Sequence, residues 1–490
     1  MTESTTSHSL ERWDPPRDDL GRAARAGVRQ TTLFRILSLV VQFVSAAILA
    51  RLLGPAAFGT IALATLVTAF ATIFNDMGIG SAIIQRKKLD EPTLTTAFLL
   101  NAAAGVVLAS AITAASPWLA DFFESPDLRF ILPLSSLTLV LSLSLVQRSL
   151  LQRKMNFGAV MALDFMYGII SAIVSVVLVL LGMGVEAIPI GAITATAISS
   201  IAAAIWCPWR PRRRPTWEST KSLWGYSGHV LAFNILNYWS KNIDNLLVGK
   251  FLGDVSLGYY SRAYNLMQLP VTNLNRVLST VLFPALSSLQ TEKERFRRGW
   301  LLSSQAGLAV GFWVAIVTAV ASPYLIEVLY GNEWLPMATT LTILMIATPA
   351  YILSSNASPI FLALGATRLQ FRLGLATAAL RVVSIVIGLQ FGYVGVAVGI
   401  LASGYLNLGI TTWPAMRLAG ITVRSLANSQ VWILAAAAFA AVVGIAARTL
   451  THFAPLISLV LIGATTSVAF FSALFIFDKS LISALRNRKN

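Results

Sequence analysis

Fourteen apolar stretches of roughly bilayer-spanning length follow one another between about Leu33 and Phe477, and the short loops between them alternate between basic and non-basic. A helix needs about 20 apolar residues to cross about 30 Å of hydrocarbon. With 56% of its 490 residues hydrophobic and 12% charged, the chain keeps little length for a soluble domain. The predicted fold class is therefore all-α, a polytopic membrane protein of about 14 transmembrane helices.

Assigning Lys and Arg to alternate sides places 29 of the 37 on the side holding both termini, five on the other (Arg51, Arg129, Lys250, Arg262 and Arg448) and three inside spans (Lys241, Arg276 and Arg381). Basic loops mark the cytoplasmic side, so an inner-membrane protein with both termini in the cytoplasm is expected. The net charge of +16 then reflects loops lying against anionic headgroups and no nucleic-acid partner is implied. The lone cysteine, Cys207, allows no intrachain disulfide. No metal-ligand spacing, nucleotide loop or Ser/His/Asp set occurs, so neither a cofactor, a metal nor a catalytic residue is predicted. The polar start of the chain lacks the apolar core of a signal peptide; there, 17–30 reads as a short surface helix or as disorder.

An internal repeat organises the spans. Arg51-Leu52-Leu53-Gly54, closed by Gly59, recurs as Lys250-Phe251-Leu252-Gly253, closed by Gly258, at an offset of 199. Gly184 and Gly191 recur as Gly392 and Gly399 at an offset of 208. Six crossings return the chain to its starting side, so the two copies are parallel repeats, an arrangement that places a substrate site between two rocking halves. The expected organisation is a cytoplasmic tail (1–32), an N-lobe of six spans (33–206), a basic linker (207–224), a C-lobe of six spans (225–416), two extra helices (417–477) and a second tail (478–490). Pro270, Pro284, Pro349 and Pro359 fall within spans, where each permits a bend or fixes a static kink.

The run Asn242-Ile243-Asp244-Asn245-Leu246-Leu247-Val248-Gly249-Lys250, followed by Leu257-Gly258-Tyr259-Tyr260-Ser261-Arg262-Ala263-Tyr264, resembles Wzx-type oligosaccharide flippases of the multidrug/oligosaccharidyl-lipid/polysaccharide exporter superfamily. So does Asn75-Asp76-Met77-Gly78-Ile79-Gly80 after the second span. The resemblance covers about 30–425. It implies translocation of undecaprenyl-diphosphate-linked repeat units between leaflets by alternating access, for exopolysaccharide, O-antigen or capsule synthesis. Its implied partners are the lipid-linked oligosaccharide, membrane lipids, and polymerase or export proteins acting on the product.

Charged groups within spans are costly and generally face a cavity or a partner. Span seven (225–248) sets Asn234, Asn237, Lys241 and Asp244 at helical spacing on one face, either as a polar wall for sugar hydroxyls and diphosphate or as a self-neutralising Lys–Asp pair with asparagines bonded to neighbouring helices. Tyr238 and Trp239 beside them suit carbohydrate. Span eight (263–289) carries Asn273 and, near its middle, Arg276, whose planar fork matches phosphate oxygens; the competing role is a salt bridge to a carboxylate such as Asp164. Arg381 on span eleven is a further substrate candidate. Asp164 and Asp76 are the candidates for ion coupling, although Asp76 near water also suits balancing an arginine. Trp300, Trp334 and other tryptophans near span ends read as interface anchors, and 329–334 as a plain outer loop.

The same residues bear on two other functions. A MATE-like drug/cation antiporter prefers an acidic cavity, whereas this intramembrane set has as many bases as acids. A polysaccharide polymerase or ligase needs a sizeable basic outer loop, whereas the outer loops are short and hold five basic residues against seven acidic ones.

Overall fold

The computed structural model describes residue 13 and residues 20–86, 89–451 and 453–477. The predicted tails outside these ranges, together with Lys87, Lys88 and His452, lie outside the described residues. Among the described residues all regular structure is helical, as hydrocarbon requires, because a helix satisfies its own backbone groups where water is absent. The chain divides into two compact units, Met1–Val255 and Ser256–Asn490.

In the first unit α1 (Leu20–Asp76) is two rods joined at Gly54. The short helix expected over 17–30 is thus, from Leu20 on, the continuous start of the first rod. Then come α2 (Ile79–Gln85), α3 (Glu91–Phe123), α4 (Leu128–Leu141), α5 (Leu145–Arg153), α6 (Phe157–Leu180) and α7 (Ala187–Trp206). Helix α1 packs on α4 and α6, α3 on α4, and α7 on both α6 and α4. Local sequence fixes several starts: the Asp90 carboxylate accepts from the Thr93 amide at 3.0 Å, with Pro92 in the first turn of α3, and Asn156 caps α6 through the Ala159 amide. Span four is broken, since α4 and α5 bend by 48° across Ser142–Ser144.

Helix α8 (Trp217–Ser288) is again two rods, joined at Gly253, and its first rod belongs to the first unit. The second unit continues with α9 (Lys293–Tyr330), α10 (Met337–Ser355), α11 (Ser358–Ala363), α12 (Thr367–Leu389), α13 (Gly392–Asn407), a π turn at 408–412, α14 (Trp413–Leu418), α15 (Val423–Leu450) and α16 (Pro455–Phe477). Helix α9 is its centre, packed on α10, α15 and α16, while α13 packs on α10 and α12. Pro359 sits in the first turn of α11, where its missing N–H costs nothing. The chain breaks just before it, and the freed Asn356 carbonyl is taken by the Trp300 indole N–H at 2.8 Å. Trp300 is therefore a fully buried core residue, not an interface anchor. Trp334 is also fully buried, within a turn of 3-10 helix at 332–334, so the expected plain loop is a packed corner.

The repeat motif has the same backbone in both copies. Gly54 has φ 73°, ψ 176° and Gly253 has φ 77°, ψ 177°, a region essentially restricted to glycine. Each lets a rod end and the next begin without a loop, with Pro55 or Asp254 opening the second rod. The second pair of glycines repeats a packing contact: a Cβ on Gly191 would lie 2.7 Å from the Ser171 carbonyl oxygen of α6, and one on Gly399 would lie 2.3 Å from that of Ser384 on α12.

Among the described residues, ten helices are long and apolar enough to cross a membrane, or eleven if the bent pair α4–α5 is one span. One of these ten, Leu33–Gln85, runs through the Gly54 kink of α1, and α8 is not among them. The chain is a multi-pass membrane protein, and the count of 14 remains a sequence expectation.

Replacing Gly54 or Gly253 by Ala should each cost about 1–3 kcal/mol, with no relief from Asn, because the required ψ lies outside the left-handed helical well that Asn tolerates. Thermal unfolding in detergent measures this. Equal stability of Gly253→Ala and the parent would show that the kink is not enforced by the backbone.

Candidate functional site

The polar face of span seven lies on the first rod of α8. Asn234, Asn237 and Lys241 follow one another at steps of three and four, which keeps them on one side of the helix. Asn237 and Lys241 are exposed and Asn234 half-buried. Among the described residues none of these three side chains has a hydrogen bond or ion pair. The rod runs unbroken to Leu252, beyond the span end read from the sequence. Lys241 is 12 positions before Gly253, or about 18 Å along the axis.

Asp244 departs from that face. It is fully buried, and its Oδ1 accepts the Asn245 amide at 3.0 Å. No ion pair joins it to exposed Lys241 among the described residues, which removes the self-neutralising Lys–Asp reading. Tyr238 and Trp239 are half-buried around Phe70, with ring centroids 5.6 and 5.1 Å from it. The Tyr238 hydroxyl donates to the Leu66 carbonyl at 2.5 Å. Their faces serve packing, which the adjacent asparagines did not reveal.

Asp164 lies 2.5 Å from Arg148 on α5, so that arginine, not Arg276, balances it. Asp76 accepts the Gly80 amide at 3.3 Å at the turn between α1 and α2. Another arginine that sequence reasoning placed only among loop charges, Arg153, is nearly buried. Its Nη1 donates to the carbonyls of Ile83 (3.1 Å), Ile84 (3.3 Å) and Arg86 (2.5 Å). It thereby closes the C-terminus of α2, where carbonyls lack helical partners.

In the second unit Arg381 of α12 meets Tyr264 of α8. Its Nη2 donates to the tyrosine hydroxyl at 2.8 Å and its guanidinium lies 5.6 Å from the ring centroid. Gln268, one turn further, donates to the same hydroxyl at 2.7 Å, and Tyr260, one turn before, stacks on Tyr264 at 5.9 Å. The signal for this network was the spacing Tyr260, Tyr264, Gln268 at steps of four, unnoticed because tyrosine carries no charge. Asn273 bonds to its own helix at the Leu269 carbonyl, while Asn275 accepts from Ser355 at 2.5 Å. Arg276 is exposed and 23 positions past Gly253, about 34 Å along the second rod. It stands toward the C-terminal end of that rod. The structure thus groups Asn234, Asn237 and Lys241 in one unit and joins Arg381 to Tyr264 and Gln268 in the other.

A profile described as polysaccharide biosynthesis protein matches residues 48–339, more than half the chain. The chain belongs to the polysaccharide biosynthesis protein family. It is 25% identical over 390 residues to the lipopolysaccharide biosynthesis protein WzxC of Escherichia coli (strain K12), covering 78% of each chain. It is likewise 25% identical over 351 residues to the teichuronic acid biosynthesis protein TuaB of Bacillus subtilis (strain 168), covering 71% of this chain and 72% of the relative. Among solved structures it is similar to the lipid II flippase MurJ in an inward closed conformation, with TM-score 0.71, 16% identity, and 93% and 99% of the two chains covered. At that identity the likeness concerns the fold. The family membership and the all-α transporter fold agree with the resemblance carried by the motifs around Asp76 and Asp244.

Beside Gly253, the first unit contains a close contact that the motif glycines make possible. A Cβ on Gly59 would fall 1.9 Å from the Asp254 carbonyl oxygen, so only glycine fits. The Asp254 carboxylate accepts from Ser125 Oγ at 2.6 Å and Thr60 Oγ1 at 3.1 Å, and Lys250 pairs with Glu124 at 3.0 Å. Burial raises the Asp254 carboxyl above its ordinary 3.8, and Asp127 adds to this, against the opposing hydrogen bonds from Ser125 and Thr60. A raised value means the packed state holds the proton more tightly than the open one. The contact should therefore tighten as pH falls toward 3.8 and loosen as pH rises through the raised value. Hydrogen exchange at 250–258, corrected for its intrinsic rate, should slow on acidification in the parent and lose that dependence in Asp254→Asn. An unchanged dependence in the variant would exclude Asp254 as its source.

Proposed function

We propose that this protein is a flippase that carries undecaprenyl-diphosphate-linked oligosaccharide repeat units from the inner to the outer leaflet of the inner membrane. The cycle is alternating access, with the head group open to one side at a time, and the product feeds exopolysaccharide, O-antigen or capsule synthesis. Both termini face the cytoplasm. The carrying observation is the Asn234–Asn237–Lys241 stripe: three polar side chains, one charged, on one face of a rod of spanning length, with no protein partner among the described residues. Such a stripe is costly against lipid and favourable against a hydrated or anionic ligand. Amides suit sugar hydroxyls and an ammonium suits diphosphate. Membership of a polysaccharide biosynthesis family supports a glycan head group.

Arg381 and Arg276 are the second unit's candidates for phosphate contact, and Asn273 for sugar. Arg381 is presented by Tyr264, through its hydroxyl and its ring, and Gln268 holds that hydroxyl. A drug/cation antiporter requires a carboxylate ready to exchange a cation. Asp164 is already neutralised by Arg148, which favours the anionic substrate.

Lys241→Ala should cut surface polysaccharide by more than about tenfold, the scale of one hydrogen bond to a charged group, with membrane abundance near normal. Lys241→Arg should keep most export, and Arg381→Lys should lose part of it because a point charge replaces the fork. Normal export by Lys241→Ala would remove the stripe from the substrate path. The orientation has its own test. Ser219 is a poor labelling site, being buried and hydrogen-bonded to Thr93 and Thr216. Arg213 is exposed in the linker. On a Cys207→Ser background, Arg213→Cys should resist an impermeant thiol reagent in intact cells and react after lysis. Labelling in intact cells would reverse the topology.

A further inference from the structure

At one end of the second unit, the start of α9, the turn between α11 and α12 and the end of α14 enclose a cavity of about 170 Å³. That is room for several waters at about 30 Å³ each. Lys293, Arg297 and Arg417 supply its polar wall, and Phe296 and Leu364 supply an apolar one. Arg297 is fixed in place. Its Nε donates to the Ala419 carbonyl at 3.3 Å, and its guanidinium lies over Gly420, where a Cβ would come within 2.3 Å of Nη2. Gly420 has φ 66°, so the turn after α14 brings bare backbone against the arginine. Carboxylate balance is thin: Glu294 pairs with Arg297 at 2.7 Å, and Glu292 pairs with Arg295 outside the cavity. Among the described residues Lys293 has no side-chain partner, and Arg417 has only the face of Trp413, at 5.7 Å.

We propose that this cavity is a binding site for the phosphate of an anionic phospholipid of the cytoplasmic leaflet. The charge demands an anion, and two further observations identify a lipid-borne one. The cavity joins a cationic wall to an apolar wall, as a headgroup continuing into acyl chains requires. It also lies where α9 changes from the charged run Lys293–Arg298 to the apolar run that opens at Trp300, the level of the headgroups when the basic side is cytoplasmic. The site is remote in sequence from the Asn234–Asn237–Lys241 stripe and does not depend on the flippase reading. Its occupancy ties α9 to α14 through the lipid.

The test is thermal unfolding of the full-length protein in a neutral detergent, titrated separately with cardiolipin, phosphatidylcholine and inorganic phosphate. Cardiolipin should raise the midpoint, and the other two should not. Lys293→Gln and Arg417→Gln leave the Arg297–Gly420 packing untouched. Each should weaken the apparent cardiolipin affinity by about fivefold, as loss of one cation near a charged surface does. Arg213→Gln, a charge loss outside the cavity lining, should leave it unchanged. An equal response to inorganic phosphate would overturn the lipid assignment in favour of a free-anion site. Undiminished cardiolipin stabilisation in the Lys293→Gln, Arg417→Gln double variant would overturn the site itself.

Discussion

Backbone hydrogen bonding in a medium without water governs this chain. Hydrocarbon offers no partner to a bare N–H or C=O, so the spans are helices and departures from helix occur where side chains or glycine compensate. Arg153 takes the carbonyls at the end of α2, and Trp300 takes the carbonyl freed at Asn356. Gly54 and Gly253 allow a rod to turn into the next with almost no loop. Much of what reads in sequence as intramembrane or juxtamembrane polarity is spent on this backbone requirement.

What remains after that subtraction points toward chemistry. Tyr238 is held by Leu66 and Phe70, Asp164 by Arg148, and Asp244 is buried against its own backbone. Asn234, Asn237 and Lys241 are left on an open face. In the second unit, Arg381 donates to the Tyr264 hydroxyl, which Gln268 holds in turn. A carrier of an anionic amphiphile needs cationic and amide groups of this kind, able to trade water for ligand at little structural cost.

The two copies of the repeat motif share a backbone but differ in their surroundings. The repeated glycine kinks agree within a few degrees, and Gly191 and Gly399 both admit a serine carbonyl of the preceding helix. Yet the first unit carries the first rod of α8 and encloses the Asp254 contact, whereas the second carries α15 and α16 against α9. Matching glycines therefore give matching joints, and packing gives each a separate neighbourhood.

Hydrophobic length and basic-loop asymmetry already determined an all-helical membrane chain, because a bilayer filters sequences by a one-dimensional rule that can be read residue by residue. The basic-x-Leu-Gly repeat marked two joints read as loops between spans, and the structure made each a kink at one glycine, since glycine alone tolerates that backbone. Partnership was invisible to such a rule. That Arg153 seals a helix end, that Asp164 meets Arg148, that Trp334 is core, and that Lys293, Arg297 and Arg417 surround one cavity are facts about residues distant in sequence. Only the tertiary structure decided them, because a charge or a ring acquires its role from whatever the folded chain brings within a few ångströms of it.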